Sequence, residues 1–233
     1  MPKYYPVMLD VRERQAIVVG GDPIAVEKAT ALAASGARVT MLSPEFGPEA
    51  LALEERGQVT LRVKSYEPGD LAGAFVVVAA TTNPQLIEAI WQETQRSGQP
   101  VNIVDVPRYC TFILPSVLRR GKLTVAVSTE GASPSLAKRI RQQLEESFPP
   151  AYEAYIDLAA QARAHLRSQG INYDTRDAFF RDFMASSVLD ALRAGEHARA
   201  LAVTVELLHT YGVNVQTGEL EAAFAKEQTD ATA

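Results

Sequence analysis

Short apolar runs rich in β-branched residues recur through the first half of the chain, at Gln15–Val19, Arg38–Leu42, Thr60–Lys64, Phe75–Ala79 and Val101–Val104. This pattern predicts the strands of a parallel sheet. Between the runs the period changes: Ala25, Ala29, Leu32 and Ala33 share one helical face, and Leu86, Ile87, Ile90, Trp91 and Thr94 share another. Helices alternating with strands imply right-handed βαβ crossovers.

The pattern changes after Val104. Two strand candidates, Phe112–Val117 and Leu123–Ser128, flank a connection over Leu118-Arg-Arg-Gly-Lys122. A helix then begins sharply, because Ser133 can accept from the free amides of its first turn and Pro134 suits the first helical position. Leu136, Ile140, Leu144 and Phe148 follow at a spacing of four, and Pro149-Pro150 stops the helix. From Tyr152 onward the sequence is helical, with Tyr152, Tyr155, Ile156, Ala159 and Leu166 on one apolar stripe and shorter segments after Gly170 and Gly195. Residues 227–233 are small and polar and are expected to fray. The expected organisation is an α/β parallel-sheet domain over 1–111, a short α+β segment over 112–149 and a small helical domain over 150–233.

Composition changes this picture little. With 47% hydrophobic and 22% charged residues the chain is ordinary for a globular protein, and no apolar run approaches the roughly 20 residues that span a bilayer. A net charge of −5 argues against nucleic-acid binding, so an anionic ligand must find a local positive site. The start, Met1-Pro-Lys-Tyr-Tyr5, lacks the apolar core of a signal peptide, and the single cysteine, Cys110, cannot form an intrachain disulfide. The cytoplasm is the expected compartment. His165, His197 and His209 lack paired ligands, so no resident metal is expected, and Cys110 reads as a small buried side chain.

Four segments carry candidate chemistry. Ala16 to Ala25 runs as strand, glycine turn and helix start, the setting in which a dinucleotide pyrophosphate sits on free helix amides. The same residues fit a plain turn in which Asp22 caps the helix and Pro23 opens it. Leu42-Ser43-Pro44-Glu45 ends the second strand, where a ribose is commonly held; no arginine follows to favour a 2′-phosphate, so NAD is preferred over NADP. Ala79-Ala-Thr-Thr-Asn-Pro84 ends the fourth strand with small residues that leave room for a cofactor, and its hydroxyls and asparagine serve equally as caps. Asp105 ends the fifth strand, where a carboxylate can take a proton or simply cap a loop. Beyond these, Ser128-Thr-Glu-Gly-Ala-Ser-Pro134 feeds a helix N-terminus carrying Lys138, Arg139 and Arg141, with Arg108, Arg119, Arg120 and Lys122 nearby in sequence. This combination suits an anion or a solvated basic face.

The ordered set Tyr5-Pro-Val-Met-Leu-Asp10, Val18-Val-Gly-Gly21, Ala25 with Lys28, Ala79-Ala-Thr81, Asn102-Ile-Val-Asp105, Phe112-Ile-Leu-Pro115 and Ser128 through Pro134 resembles the precorrin-2 dehydrogenase and sirohydrochlorin ferrochelatase family, the N-terminal region of sirohaem synthases. The resemblance implies a Rossmann-type domain, a dimerisation segment and a helical domain in a homodimer that binds an acidic tetrapyrrole. It implies NAD-dependent oxidation of precorrin-2 to sirohydrochlorin and, in some members, insertion of ferrous or cobaltous ion at the same site. Under it Asp105 is the catalytic residue. Gly20, Gly21, Asp22, Pro23, Ile24, Ser43, Pro44, Thr81, Thr82 and Val104 fall on the cofactor side, and Asn102, Ser128, Thr129, Gly131 and Ser133 on the substrate side. The chain departs from the family at Asp22 and Glu130, where glycines are usual, and at Thr111, where an aspartate is usual. A Rossmann-like module that binds a tetrapyrrole or nucleotide without turnover is the alternative.

Overall fold

A computed structural model describes residues 3–222. By internal contacts the chain forms two units, one running to Leu114 and including Glu130–Ala132, the other comprising Pro115–Thr129 and the chain from Ser133.

The first unit is a five-stranded parallel sheet in the order β3-β2-β1-β4-β5, built from β1 (Gln15–Val19), β2 (Arg38–Ser43), β3 (Val59–Val63), β4 (Val76–Ala79) and β5 (Val101–Ile103). Successive side chains alternate between faces, so each central strand supplies both cores. Ala16, Val18, Val39, Met41, Val76 and Val78 pack under α1 (Pro23–Ala34) and α2 (Pro48–Glu55). Ile17, Val19, Leu42, Val77, Ala79 and Ile103 pack with α3 (Pro84–Ser97) through Ile87 and Ile90. Helix α1 meets the sheet through Ala25 and Ala29, both fully buried, and their small size lets its N-terminus approach the end of β1.

Two features depart from the sequence pattern. Helix α2 has no counterpart in the periodicity, although Gly47-Pro48 marks its start. The crossover from β3 to β4 has no helix; residues 64–75 make turns instead, and Pro68-Gly69 explains why.

The second unit opens with a hairpin of β6 (Ser116–Arg120) and β7 (Leu123–Val127), registered Ser116↔Val127 through Arg120↔Leu123. The expected strand Phe112–Val117 thus starts later, at Ser116, and the turn is only Gly121-Lys122. A two-residue turn sets the register of its hairpin, and Gly121 supplies the positive φ of 53° that such a turn requires. Helix α4 (Pro134–Ser147) follows with its expected start: Ser133 Oγ accepts from the Leu136 amide at 3.3 Å.

Helices α5 (Ala151–Ser168), α6 (Tyr173–Ala185), α7 (Val188–Arg193) and α8 (His197–Thr210) enclose Leu158, Ala162, Leu166, Phe179, Phe183 and Leu208. Tyr155 stacks on Phe183 at 4.9 Å between centroids. The buried line on α5 runs through Tyr155, Leu158, Ala162 and Leu166, while Ile156 and Ala159 sit at its margin. Among the described residues no helix is long and apolar enough to cross a membrane. The expected fraying of 227–233 lies outside the described residues.

Candidate functional site

The carboxyl edge of the sheet is shaped by two glycines at the end of β1. Gly20 has φ 138°, and a Cβ there would stand 2.7 Å from the Ala80 carbonyl oxygen. A Cβ on Gly21 would stand 2.2 Å from the Glu45 carbonyl oxygen and 2.8 Å from Ser43 Oγ. The ends of β1, β2 and β4 can therefore converge only around a chain without side chains at these positions. Gly21→Ala is expected to cost about 1–3 kcal/mol of stability, because the conflicting atom is backbone and cannot swing aside. Urea unfolding checks this, and an unchanged midpoint would mean that the loop yields freely.

Beside the glycines opens a cleft of about 950 Å³, at the point where strand order reverses between β1 and β4. Its walls include Gly20, Gly21, Asp22, Ser43, Pro44 and Thr81 among the expected cofactor-side residues. Pro23, Ile24, Thr82 and Val104 are not on its walls; Val104 instead gives its amide to the Ala79 carbonyl at 2.9 Å and packs against the sheet core. Sequence reasoning missed Phe46, Ser65, Tyr66, Pro68, Leu86 and Ala89, which also line it. Their only sequence signal is position just beyond strand ends or on a helix already facing the sheet.

Two expected caps are present. Asp22 Oδ1 accepts from the Ala25 amide at 2.7 Å, and Asn83 Oδ1 accepts from Gln85 and Leu86 at 3.0 and 3.3 Å. The first bears on anion binding. Pro23 has no N–H and Ala25 is taken by Asp22, so Ile24 keeps the only uncommitted amide in the first turn of α1 among the described residues.

Asp105 sits just past β5 on the same carboxyl edge. Its φ is 59°, a left-handed backbone that costs most non-glycine residues and that its surroundings hold in place here. The imposition is visible on both sides. Thr111 ties back to Val101 through paired 2.8 Å bonds, its amide to the Val101 carbonyl and its hydroxyl oxygen to the Val101 amide. Asn102 donates to the Phe112 carbonyl at 3.0 Å, and Cys110 Sγ lies 3.2 Å from both the amide and the carbonyl oxygen of Ile103. Burial pushes the Cys110 thiol above its ordinary pKa, as befits a structural role. The Tyr109 hydroxyl donates to Glu88 on α3 at 2.7 Å, and that bond holds the Glu88 carboxyl below its usual pKa. The excursion 104–110 is thus clamped at its base, and Asp105 lies in it two residues past the end of β5. The Asp105 carboxylate is exposed and has no hydrogen-bond or ion-pair partner among the described residues, so it caps nothing.

Among the expected substrate-side residues, Asn102 is buried with its amide spent on Phe112. Ser128 follows β7 directly and is exposed. Thr129 Oγ1 bonds both the carbonyl oxygen and the amide of Ser133, at 3.0 and 3.1 Å, which closes the loop over 129–133. Glu130 and Gly131 follow each other at φ 53° and 84°, so the glutamate stands in a conformation that favours glycine. Glu130 Oε1 also accepts from the Tyr4 amide at 3.4 Å. Of the nearby cations, Lys122 pairs with buried Asp157 at 3.0 Å, Arg120 donates to the Phe148 carbonyl at 2.9 Å, and Arg141 pairs with Glu145. Arg119, Lys138 and Arg139 are exposed, without side-chain partners among the described residues. No cluster of three or more His, Cys, Asp or Glu is placed to hold a metal ion among the described residues.

Residues 7–116 match the family model described as "Putative NAD(P)-binding", and residues 120–147 match that described as "Sirohaem biosynthesis protein central". The chain is similar to the sirohaem synthase of Nitrosomonas europaea, 34% identical over 218 residues that are 93% of this chain and 46% of that protein. It is likewise similar to the sirohaem synthase of Nitrosococcus oceani, 32% identical over 198 residues, 85% of this chain and 42% of that protein. The chain therefore spans less than half the length of these relatives. Among solved structures it resembles "SirC, precorrin-2 dehydrogenase", with a TM-score of 0.73, 25% identity, and coverage of 90% of this chain and 99% of that one.

Proposed function

The chain belongs to the sirohaem-biosynthesis family that contains the precorrin-2 dehydrogenases, and from that premise we propose that it oxidises precorrin-2 to sirohydrochlorin with NAD⁺ as hydride acceptor. The observation that carries the catalytic assignment is Asp105: a carboxylate without a structural partner, on a strained backbone at the carboxyl end of β5. Backbone strain of this kind collects at functional sites.

The cleft fits a dinucleotide in volume, in its place at the switch point and in its glycine floor. Gly20 and Gly21 would border the pyrophosphate, with Ser43 and Pro44 on the ribose side and Thr81 across the cleft. When bound, the nicotinamide supplies the acceptor for a hydride. The macrocycle loses two hydrogens, one as that hydride and one as a proton, and Asp105 accepts the proton.

Following NADH absorbance with precorrin-2 generated in situ is the test, and ferrous or cobaltous ion added to the product extends it to metal insertion as a second activity. Tight tetrapyrrole binding without NADH formation would instead establish a non-catalytic binding module, a reading that the Asp22 cap favours.

The protein acts as a homodimer through residues 112–149, in the cytoplasm. A two-stranded sheet is seldom stable alone. On this hairpin Val117 is 37% exposed, and on α4 Leu136 is 49% exposed. Light scattering at micromolar concentration is expected to report about twice 25.3 kDa. A folded monomer would remove this part of the reading.

A further inference from the structure

Helix α3 serves three parts of the first unit at once. Leu86 and Ala89 line the cleft, Ile87 and Ile90 are buried against the sheet, and Glu88 and Trp91 meet Tyr109 of the excursion that carries Asp105. Each pair lies on a different face of the helix, because successive residues turn by about 100° around its axis.

The hold on the excursion is made through Tyr109. Its hydroxyl donates to Glu88 Oε2 at 2.7 Å, and Glu88 Oε1 accepts from Gln92 at 2.9 Å, so both carboxylate oxygens are engaged and the acceptor is braced along its own helix. The bond to Glu88 keeps the Tyr109 hydroxyl above its ordinary pKa, and it stays a neutral donor. The ring of Trp91 lies 5.6 Å from that of Tyr109, and the Arg108 guanidinium lies 4.9 Å from the Tyr109 centroid.

The clamps at 101–103 and 110–112 fix where the chain leaves β5 and where it returns. They do not reach the stretch between. From Asp105 to Tyr109, the Tyr109 hydroxyl makes the only hydrogen bond to an element other than β5 among the described residues. The stretch is itself stiff: the Tyr109 and Cys110 amides return to the Val106 and Pro107 carbonyls at 3.0 and 3.1 Å, and Pro107 fixes its own φ. A displacement at Tyr109 is therefore passed back to Asp105.

We propose that Tyr109 and Glu88 are positioning residues for the oxidation: their bond ties the excursion to the helix that walls the cleft, so that Asp105 and the cleft keep one fixed separation. This rests on the dehydrogenase reading above. Neither residue is on the cleft walls, so both act through Asp105. Reactive geometry is narrow enough for such a tie to matter, since a misplacement of about 1 Å can lower a rate by about 10²-fold.

The experiment uses the full chain carrying Tyr109→Phe, Glu88→Ala, Glu88→Gln, or Tyr109→Phe with Glu88→Ala. Tyr109→Phe keeps the ring against Trp91 and removes only the hydroxyl. In protein without cofactor, hydrogen exchange at the Val106, Tyr109 and Cys110 amides is expected to quicken about fivefold, while exchange in β4 is unchanged. In the NADH assay kcat is expected to fall about tenfold for Tyr109→Phe and for Glu88→Ala, with KM for NAD⁺ held. Glu88→Gln keeps an acceptor and is expected to lose no more than about threefold. The double change is expected to fall no further than either single one, as for two partners of one interaction. Additive losses, or a loss for Glu88→Gln equal to that of Glu88→Ala, overturn the proposal; so does unaltered exchange in Tyr109→Phe. Faster exchange with unaltered kcat shows a structural tie alone and overturns the positioning role. If the unmodified protein forms no NADH from precorrin-2, the dehydrogenase reading fails and the positioning role with it; if it does and Tyr109→Phe matches its rate, only the positioning role fails.

Discussion

Asp105→Asn is expected to lower turnover by about 10²–10⁴-fold while leaving folding and NAD⁺ affinity unchanged, since a positioned proton acceptor typically contributes that much. The substitution suits the site on two counts. It is nearly isosteric, and asparagine tolerates the left-handed backbone that position 105 adopts at φ 59°. Asp105→Gly sharpens the test. Glycine relieves the left-handed strain, so this variant is expected to unfold at higher urea than the unmodified protein and still to be nearly inactive. That pairing of gained stability with lost activity separates a catalytic carboxylate from a structural one. Stopped-assay NADH yields under saturating precorrin-2, with urea midpoints for all three proteins, provide the data. Turnover by either variant at the unmodified rate would remove Asp105 from the reaction.

Asp22→Gly is expected to tighten NAD⁺ binding by about tenfold or more. The Asp22 carboxylate lies 2.7 Å from the Ala25 amide, so it occupies a donor that a pyrophosphate would otherwise use. It also places a negative charge where another negative group must come. At about 4 Å and an effective dielectric near 20, such a pair repels by on the order of 4 kcal/mol, most of it recovered if the side chain turns to solvent. Turning out forfeits the cap. Replacing the cap by glycine costs only a few tenths of a kcal/mol in stability, so the gain in affinity should be visible without a folding defect. Asp22→Asn separates the two causes, because it keeps the cap and removes the charge. If charge dominates, Asn tightens binding nearly as much as Gly; if the occupied amide dominates, only Gly does. Equal NAD⁺ affinity in all three proteins, measured by calorimetry, would show that Asp22 lies clear of the cofactor.

Several features of the site are legible in the amino-acid sequence itself. The strand at Gln15–Val19, the caps at Asp22, Asn83 and Ser133, and the helix starts at Pro23, Pro84 and Pro134 stand where local chemistry puts them. Each depends on residues within one turn of one another: a carboxylate, amide or hydroxyl three residues before a free N–H, and a proline whose ring presets φ. Buried strands are equally readable, because a run of Val, Ile and Ala suits a sheet covered on both faces. For the same reason Gly20, Gly21, Ser43 and Thr81 fall at strand ends, and strand ends in a parallel sheet share one edge.

Pairing and long-range contact are decided by the tertiary structure alone. The hairpin register follows from the turn at Gly121-Lys122, whereas the apolar content of Phe112–Val117 suggests an earlier strand; hydrophobicity says that a segment pairs, not with which residue. Lys122 and Arg120 read in the sequence as part of a basic cluster for an anion or a solvated face, and proximity to Asp157 and Phe148 commits them to the fold. Tyr66 and Glu93 are 27 positions apart and carry no motif, so their meeting at the cleft depends on how the β3–β4 crossover lies against α3. The positive φ of Asp105 belongs to the same class. An aspartate after a strand predicts a loop, but the strain arises because Asn102, Cys110 and Thr111 close the chain on either side of it. Local propensity acts over a few residues through backbone geometry, while these constraints act through space between segments that the sequence alone does not bring together.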